Sequence, residues 1–421
     1  MSAQPVRLGL RENLPQFALL VAVNSFVGAM VGLERSTLPL IGERDFGLHS
    51  SAAVLSFITA FGLAKALTNL GAGALAERVG RRRLLIAGWV VALPVPLLIG
   101  VAPSWAWVVV ANALLGLNQG LAWSMTVVMK IDLVGPRRRG LALGLNEAAG
   151  YGGVAAAAAI SGWLAADLAA RDVLVAGAAG IAAVGLLVSV IAVRDTGAHV
   201  ALEQSREHEG TRASAPTLRD ALADATYRRA ELRACSQAGL FNNMNDAVAW
   251  GVVPLYLANT GASVAQIGLV AGLYPAAWGL GQISAGHWSD VVGRRAPIVC
   301  GMLVQAAALA GMAVSGGHIG VAVAAAVGLG AGTALVYPTL IAAISDQVAP
   351  VARAPVIGVY RFWRDMGYVV GGVTAGVAAD ALGYSGAIGA AAGLTALSGL
   401  VFAAQFGGRV RQLPVGGATE A

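Results

Sequence analysis

The chain has 421 residues, of which 57% are hydrophobic and only 12% are charged. Soluble globular proteins carry about 25% charged residues, so this composition excludes a protein that folds in water. A net charge of +6 is compatible with nucleic-acid binding, but the basic residues form short clusters between apolar stretches. We therefore interpret them as topology signals and contacts to anionic lipid, and expect no nucleic-acid partner.

The apolar residues form long runs that match the ~30 Å thickness of bilayer hydrocarbon when they are helical. Stretches such as 84–101 and 173–193 lack the alternation of polar and apolar residues found in transmembrane β-strands. The sequence therefore predicts an all-α membrane protein. Twelve spans are predicted at about 15–38, 50–74, 84–102, 106–129, 140–164, 173–193, 234–257, 264–287, 297–315, 318–344, 355–379 and 385–406.

One long polar segment, residues 194–233, separates the sixth predicted span from the seventh. It predicts an N-terminal six-helix bundle over 1–193 and a C-terminal six-helix bundle over 234–421. Within the polar segment, a helix along the membrane surface is expected from about Thr217 to Ala230. The remainder is expected to be a flexible cytoplasmic linker.

Arginine and lysine are concentrated in every second connection between the spans. By the positive-inside rule, this bias predicts that both termini lie in the cytoplasm and that the protein sits in the inner (plasma) membrane. The first residues, 1–13, lack the short apolar core and cleavage site of a signal peptide, so we expect the first span to be retained. The two cysteines, Cys235 and Cys300, predict neither a disulfide framework nor a metal site.

A charged loop is repeated in the two predicted halves. Residues 73–82 and 286–295 both read G-x-x-x-[DE]-x-x-G-R-R, and each lies between two apolar spans. The repeat continues in glycine-rich segments of spans four and ten, at 116–120 and 328–332. Two related halves favour a solute site between them near the membrane midplane, with rocking of one half against the other.

These residues resemble the major facilitator superfamily of secondary transporters, over nearly the whole chain. The resemblance implies twelve transmembrane helices in two pseudo-symmetric six-helix bundles. It also implies that the repeated loops support conformational switching rather than solute binding. The loop positions that carry the resemblance are Gly73, Glu77, Arg78, Gly80, Arg81, Gly286, Asp290, Gly293 and Arg294.

Proton-coupled drug antiporters of this superfamily usually carry an arginine in span four, where this chain has Gly116. Their span-five motif usually contains Gly-Pro, whereas residues 150–153 here contain no proline. Both departures disfavour multidrug antiport, although they leave export open.

Charged side chains within spans are costly, so each is a candidate for function. Lys65 lies near the middle of span two, where it could attract an anionic solute or pair with Glu147 or Asp246. Glu34 and Arg35 are expected to form an outer gate, to contact solute, or simply to end a helix in water.

The charged residues of spans five and eleven each have two possible roles. Glu147, next to Asn146 in span five, is either a proton acceptor or one partner of an ion pair. Arg361, Arg364 and Asp365 in span eleven are expected either to hold an anionic group bidentately or to join Glu77 in a cytoplasmic lock.

Polar and aromatic residues complete the predicted cavity. Asn242, Asn245 and Asp246 share a helix face by i, i+3, i+4 spacing, which we expect to line the cavity together with Asn243. Asn24, Asn118 and Gln119 are candidate hydrogen-bonding groups. Trp123, Tyr274 and Tyr337 are candidate solute contacts, although single aromatic residues more often serve packing.

No phosphate-binding loop, metal-ligand cluster or nucleophile–base motif is found in the sequence, so no cofactor or metal and no enzyme activity are expected. A sensor would need a larger soluble domain than residues 194–233. The predicted function is secondary transport of a small polar, possibly anionic, solute by alternating access, coupled to an ion that we expect to be the proton. The alternative is an exporter of hydrophobic drugs or toxic compounds. The expected partners are the solute, the proton and the bilayer, and we expect a monomer.

Overall fold

The computed structural model describes residues 6–135, 139–207, 217–348 and 350–407, and all regular secondary structure there is helical. Two π-helical turns cover Gln119–Trp123 and Asp224–Arg228. The α-helices are α1 Leu14–Arg35, α2 Leu38–Arg44, α3 Ser51–Val54, α4 Ser56–Val79, α5 Arg81–Ala92, α6 Pro94–Gly100, α7 Trp105–Asn118, α8 Ser124–Val134, α9 Arg139–Leu164, α10 Ala170–Ile191, α11 Gly197–Glu207, α12 Leu218–Ala223, α13 Ala230–Asn259, α14 Val264–Val292, α15 Arg295–Ala313, α16 Ile319–Gln347 and α17 Pro350–Gln405.

Within the described residues, nine helical stretches are long and apolar enough to cross a membrane. The last of them runs through α17, which is bent at Gly383 (φ 72°, ψ 171°) into two arms. The helices α9 and α13, of 26 and 30 residues, pack alongside these stretches. Counting them and both arms of α17 gives the twelve crossings that the sequence predicts.

The repeated loops form sharp breaks between helices. Gly80 (φ 94°) separates α4 from α5, and Gly293 (φ 85°) separates α14 from α15. A residue with a side chain is strained in this left-handed region, whereas glycine is not. Glycine therefore lets the chain reverse within one residue at both loops. We call the end of the bundle that carries these loops the motif end.

The two loops make the same contacts in each half. Arg81 Nε lies 3.4 Å from Asp132 Oδ2, and Arg294 Nε lies 2.8 Å from Asp346 Oδ2. These partners end the corresponding helices α8 and α16. The contacts show the internal pseudo-symmetry of the fold at the level of individual side chains.

The next arginine of each loop adds a second matched contact. Arg82 donates to the carbonyl of Val190 in α10, and Arg295 donates to the carbonyl of Ala403 in the second arm of α17. Donor and acceptor positions in the two halves are separated by the same 213 residues (82 to 295, and 190 to 403). Each loop is thereby tied to the last helix of its own half.

The described parts of the segment between α10 and α13 contain helices. Residues 197–207 form α11, and residues 218–223, within the helix expected from about Thr217 to Ala230, form α12. Thr196 Oγ1 donates to Asp132 (2.6 Å), whereas Trp363 Nε1 donates to Thr226 Oγ1 (3.0 Å). The start of this segment is thus tied to the first half, and its end to the second.

The two halves meet along a seam formed by α9 with α14 and by α4 with α17. At the end opposite the motif end, glycines bring α9 into backbone contact with α14, and α17 into backbone contact with α3, which precedes α4. A Cβ atom on Gly268 would lie 2.7 Å from the Cα atom of Gly162, and one on Gly376 would lie 2.6 Å from the Cα atom of Ala52. Helices in lipid associate through such close packing, because apolar surface gains little by leaving lipid for protein.

A carboxylate also bridges the seam at this end. Asp380 of α17 accepts hydrogen bonds from the Ser50 hydroxyl (2.7 Å) and from the backbone N–H groups of Ser51 (2.5 Å) and Ala52 (3.2 Å). These N–H groups begin α3 and would otherwise lack partners. Tyr384 donates nearby to Glu43 Oε1 (2.7 Å). The seam is therefore closed by both packing and hydrogen bonds at this end.

Gly268→Val should force the seam apart at this end, because the added side chain meets backbone that cannot rotate away. The reporter is Ala159→Cys, because the Cβ of Ala159 in α9 lies 3.3 Å from the position of a Cβ on Gly272 in α14, in a protein whose own cysteines are replaced by serine. We expect its labelling by a membrane-impermeant maleimide to rise about tenfold or more, equivalent to ~1.4 kcal/mol in the opening equilibrium.

Gly180→Val is the matched control, since a Cβ on Gly180 meets no atom within 4 Å. Labelling in that variant should stay at the reference rate. Equal labelling in the two variants would show that the glycine contact does not close the seam.

Candidate functional site

Two ion pairs span the seam in adjacent layers and form the core of the candidate site. In the layer farther from the motif end, Arg35 of α1 holds Asp246 of α13 bidentately, with Nη1–Oδ1 and Nη2–Oδ2 distances of 2.7 and 2.9 Å. Both side chains are at least 97% buried. Tyr368 also donates to Asp246, so this carboxylate is bonded from both sides of the seam.

The second layer is centred on Asp365 of α17. Lys65 Nζ lies 3.5 Å from Asp365 Oδ1, and Arg364 Nη1 lies 3.4 Å from the same oxygen. Asn69 Nδ2 donates to Asp365 Oδ2 at 2.5 Å. From the sequence we expected Glu147 or Asp246 as the partner of Lys65. Asp365 has that role because α4 packs against α17. We call Lys65, Arg361, Arg364 and Asp365 the cation cluster.

Tyr368 connects the two layers. Its hydroxyl bonds Asp246, while its ring lies 5.2 Å from Lys65 Nζ, within the range of a cation–π contact. Phe61 and Trp250 pack edge-on against the same ring. A displacement of Lys65 would therefore move the Tyr368 ring and, through the hydroxyl of that ring, alter the hydrogen bond to Asp246.

Aromatic residues from four different helical segments form a continuous wall beside the cation cluster. Ring centroids are 5.3 Å apart for Trp123–Tyr151, 3.5 Å for Tyr151–Trp278 and 5.8 Å for Trp278–Tyr337. Tyr274 adds to the wall next to Trp278 (5.9 Å). Single aromatic residues, which in sequence resemble packing residues, are therefore brought into one surface.

Arg364 joins the cation cluster to this aromatic wall. Its guanidinium carbon lies 4.3 Å from the Tyr337 ring centroid and 5.6 Å from that of Trp278. It also donates to the Tyr151 hydroxyl at 3.3 Å. Its Nε is buried without a hydrogen-bond partner among the described residues. The arginine is thus held in place mainly by ring faces, and much of its hydrogen-bonding capacity is unused.

A carboxylate from the first half faces the other side of the wall. Glu147 Oε1 accepts from Trp123 Nε1 (3.1 Å) and Asn146 Nδ2 (3.0 Å), and its Oε2 is buried without a partner among the described residues. Asn24 fixes this region by donating to the Asn146 carbonyl (2.7 Å). Thr126 in turn donates to Asn24 (2.8 Å).

The π-helical turn positions the polar part of span four. It places Trp123 next to Glu147, and such turns are frequent at functional sites. Gln119 donates to the Val27 carbonyl (2.8 Å), and Asn118 donates to the Gly88 carbonyl (2.9 Å). Asn118 and Gln119 therefore bond the backbones of α1 and α5 in this structure, rather than facing the cation cluster.

The polar residues of α13 lie on more than one face. Asn242 and Asn245 bond Gln305 of α15 (3.0 and 2.9 Å), and Asn245 also accepts from Thr395. These contacts lie inside the second half, not with Asp246 at the seam as the spacing suggested. Asn243 is fully buried, with its Cβ next to Gly367 of α17 and both polar atoms unpartnered among the described residues.

Glu34 and Arg35 are both buried, each 2% exposed, which excludes a helix end in water. Arg35 pairs with Asp246, whereas Glu34 points elsewhere and meets the side chain of Asn112. Glu34 Oε2 has no hydrogen-bond partner among the described residues. The two neighbours thus belong to different environments.

The loop positions of the repeated motif lie away from the cation cluster. Arg294 bonds Asp290 as well as Asp346, and Arg78 is exposed. Gly73 and Glu77 belong to α4, but the Glu77 side chain lies outside the described part of the chain. A lock between Glu77 and span eleven therefore remains a prediction.

Three residues of this region were not selected by sequence reasoning. Trp250 packs under the Arg35 guanidinium at 5.4 Å. Phe61 borders Lys65 at 5.7 Å. Lys130 is fully buried and donates to the Leu20 carbonyl (3.0 Å). The positive-inside count treated Lys130 as a loop charge because it follows the predicted end of span four.

The comparisons with known proteins agree with this architecture. The sequence model of the Major Facilitator Superfamily matches residues 17–230 and 236–420. The chain belongs to the Major Facilitator Superfamily. It is therefore a multi-pass membrane protein of a transporter family, as the repeated loops predicted.

Two individual proteins show how far the likeness extends. Over 139 residues, the chain is 31% identical to the human solute carrier family 2, facilitated glucose transporter member 10; the alignment spans 32% of this chain and a quarter (25%) of that protein. The crystal structure of a mutant of the nucleoside transporter NupG superposes with a TM-score of 0.75 at 12% identity, over 93% of this chain and 100% of that one. The second likeness is one of fold.

Asp246→Asn should destabilise the folded protein by about 3–5 kcal/mol, because it leaves the buried Arg35 without a counter-charge. Replacing both partners, as Arg35→Met with Asp246→Leu, should recover most of that loss. Thermal unfolding of the purified protein in detergent measures both effects. Asp220→Asn is the control, since the Arg228–Asp220 pair is half exposed and pairs of that kind contribute less than about 1 kcal/mol. Equal losses at the two sites would contradict a structural role for the buried pair.

Proposed function

We propose that this transporter carries a small polar solute with an anionic group, by alternating access and with coupling to protons. The observation that carries the proposal is an excess of positive charge in the cation cluster. Lys65 and Arg364 both contact Asp365, and Arg361, one turn from Arg364 on the same helix, adds a third positive charge that faces both Glu147 and Asp365. Buried cations are costly in a membrane unless they are paired. A solute anion would supply the missing negative charge.

The unused bonding capacity of these cations supports the same assignment. Lys65 reaches Asp365 only at a long distance of 3.5 Å, and Arg361 has no ion pair or hydrogen bond with another described residue. Charge-assisted N–H···O bonds are normally 2.7–2.9 Å long. The cluster therefore has donors available for additional oxygen atoms, such as those of a carboxylate or phosphate.

The aromatic wall supports a site for the body of the solute. Tyr151, Trp278 and Tyr337 line the side of Arg364. Their ring faces can cover apolar or planar parts of a ligand, as in other small-molecule sites. Trp123 and Glu147 border the wall from the first half, and Glu147 offers an unpartnered acceptor for a solute hydroxyl or amine.

We further propose that residues 1–193 and 234–421 move as two bodies, joined by residues 194–233. The gap between the two matched ranges, at residues 231–235, supports a boundary near residue 233, and the bonds of Thr196 to the first half and of Thr226 to the second support a joining segment between them. The arginine bias supports a cytoplasmic motif end in the inner membrane. With that orientation, the seam described above is closed toward the outside. We propose a monomer, because each chain contains both halves.

Export of hydrophobic compounds is the second candidate, and the aromatic wall is the observation that favours it. An exporter of that kind would not need the cation cluster. The discriminating experiment is uptake into proteoliposomes of labelled organic anions and of a lipophilic dye, each with and without an imposed pH gradient. Transport of the dye alone would favour export.

Lys65→Ala should reduce uptake of the preferred anion by about 30-fold or more, because loss of one partner in a desolvated charge contact costs ~2–5 kcal/mol. Membrane insertion should be unchanged, and Lys65→Arg should retain part of the activity. Arg228→Ala is the control, because it removes one positive charge from a half-exposed ion pair. It should leave uptake unchanged. Normal uptake by Lys65→Ala would remove Lys65 from the site.

A further inference from the structure

We propose that Asp365 occupies, in the solute-free protein, the position among the cations that the anionic group of the solute takes during transport. When the solute displaces it from the cations, Asp365 accepts the co-transported proton. This inference rests on the proposed anion transport and adds the residue that links anion to proton. The sequence alone favours Glu147 or Asp246 for that role.

The contacts of Asp365 resemble those of a bound anion. Lys65, Asn69 and Arg364 converge on its two oxygens from α4 and α17. Both cations stand 3.4–3.5 Å away, which is longer than a charge-assisted hydrogen bond. The carboxylate is 98% buried, so water does not screen it. It is therefore surrounded by donors but held loosely by the charged ones.

The neighbouring layer shows what a tightly bound pair looks like in the same protein. Arg35 and Asp246 are bidentate at 2.7 and 2.9 Å, and Tyr368 adds a further bond. Asp246 is thus fully neutralised by a dedicated partner. Asp365 instead shares its charge among several cations. This difference favours Asp365 as the exchangeable member and Asp246 as the fixed one.

The charges that face Asp365 decide how it responds to an anion. Lys65 comes from α4, and Arg361 and Arg364 come from its own helix. Farther away, Glu147 of α9 and Asp246 of α13 add negative charge, while Tyr151, Tyr337 and Tyr368 are neutral phenols. Asp365 is the only carboxylate among the described residues that bonds Lys65 and Arg364 directly.

A second carboxylate entering this cluster would compete with Asp365 for the same donors. Keeping two carboxylates ionised in one poorly hydrated site is costly, so one of the two takes up a proton. The solute keeps the cations, and Asp365 forms the O–H bond with a proton drawn from the side that is open. On release of the solute, that bond breaks and Asp365 returns to Lys65 and Arg364. One proton accompanies each singly charged solute.

The first test compares wild type, Asp365→Asn and Glu147→Gln in proteoliposomes loaded with a pH-sensitive dye. The labelled probes are lactate, succinate, gluconate and benzoate. Asp365→Asn mimics the protonated carboxylate. It should therefore exchange labelled for unlabelled anion across the membrane at a rate within about threefold of wild type, while proton entry and acceleration by an inward pH gradient are lost. Glu147→Gln should still bring in one proton with each anion that it moves, whatever its transport rate. Asp220→Asn, at a half-exposed surface pair, is the control that should keep both the exchange rate and the coupling.

The second test follows anion binding by the fluorescence of Trp278 and its neighbours, between pH 6 and 8, where the probe anions are ionised. For wild type, the apparent Kd should rise about tenfold per pH unit once Asp365 is ionised in the free protein, because one proton is taken up per anion. For Asp365→Asn the Kd should be independent of pH. Asp365→Glu should restore the slope.

Asn69→Ala provides a variant that leaves every charge in place. It removes the shortest hydrogen bond to Asp365, so the pH dependence of anion binding should shift along the pH axis while one proton is still taken up per anion. A purely structural role for Asn69 would alter stability without moving the pH profile.

The outcomes separate this inference from the proposed function. Anion transport by wild type without proton movement would overturn the inference and leave anion transport intact. The inference also fails if Asp365→Asn stays coupled, or if Glu147→Gln is the variant that loses coupling. If none of the four anions binds or moves, the proposed function itself fails. If Asp365→Asn is inactive in exchange, an unshifted pH profile in Asn69→Ala would overturn the inference.

Discussion

The cost of burying charge where the two halves meet is the constraint on which this structure depends. Arg35 with Asp246, and Lys65 with Asp365, place four charges in a region that water barely reaches. Each pair has one partner in each half, so the charges stabilise each other only while the halves are together there. Opening the seam would therefore have to be compensated by water or by solute.

Small residues make this arrangement possible. Contact between Gly162 and Gly268 brings α9 and α14 close enough for side chains on neighbouring helices to meet across the seam. The aromatic wall then fills the space beside the charges, with Tyr151 and Trp278 from opposite halves in direct contact. Packing, charge and ring contacts thus reinforce one arrangement, in which the seam is closed at the end opposite the repeated loops.

The contacts of the repeated loops have a different role from those at the seam. Their arginines bond Asp132 and Asp346 within the same half, which favours each half moving as a unit. The seam pairs join the halves, and the loop pairs strengthen each half. One half can tilt against the other only if the contacts within each half stay intact while those at the seam break.

The sequence by itself determined the membrane class, the number of crossings, the duplication and the position of Lys65, Arg364 and Asp365 within apolar spans. It marked these residues as candidates, since a charge within an apolar stretch is costly wherever the helix packs. Only the tertiary structure decided the partners. Polar residues cover several faces of α13, and helical spacing cannot say which face meets the other half, so Asn242 and Asn245 could not be separated from Asp246. The pairing of Lys65 with Asp365 and the gathering of single aromatic residues into one wall depend on contacts between helices distant in sequence, which local periodicity does not contain.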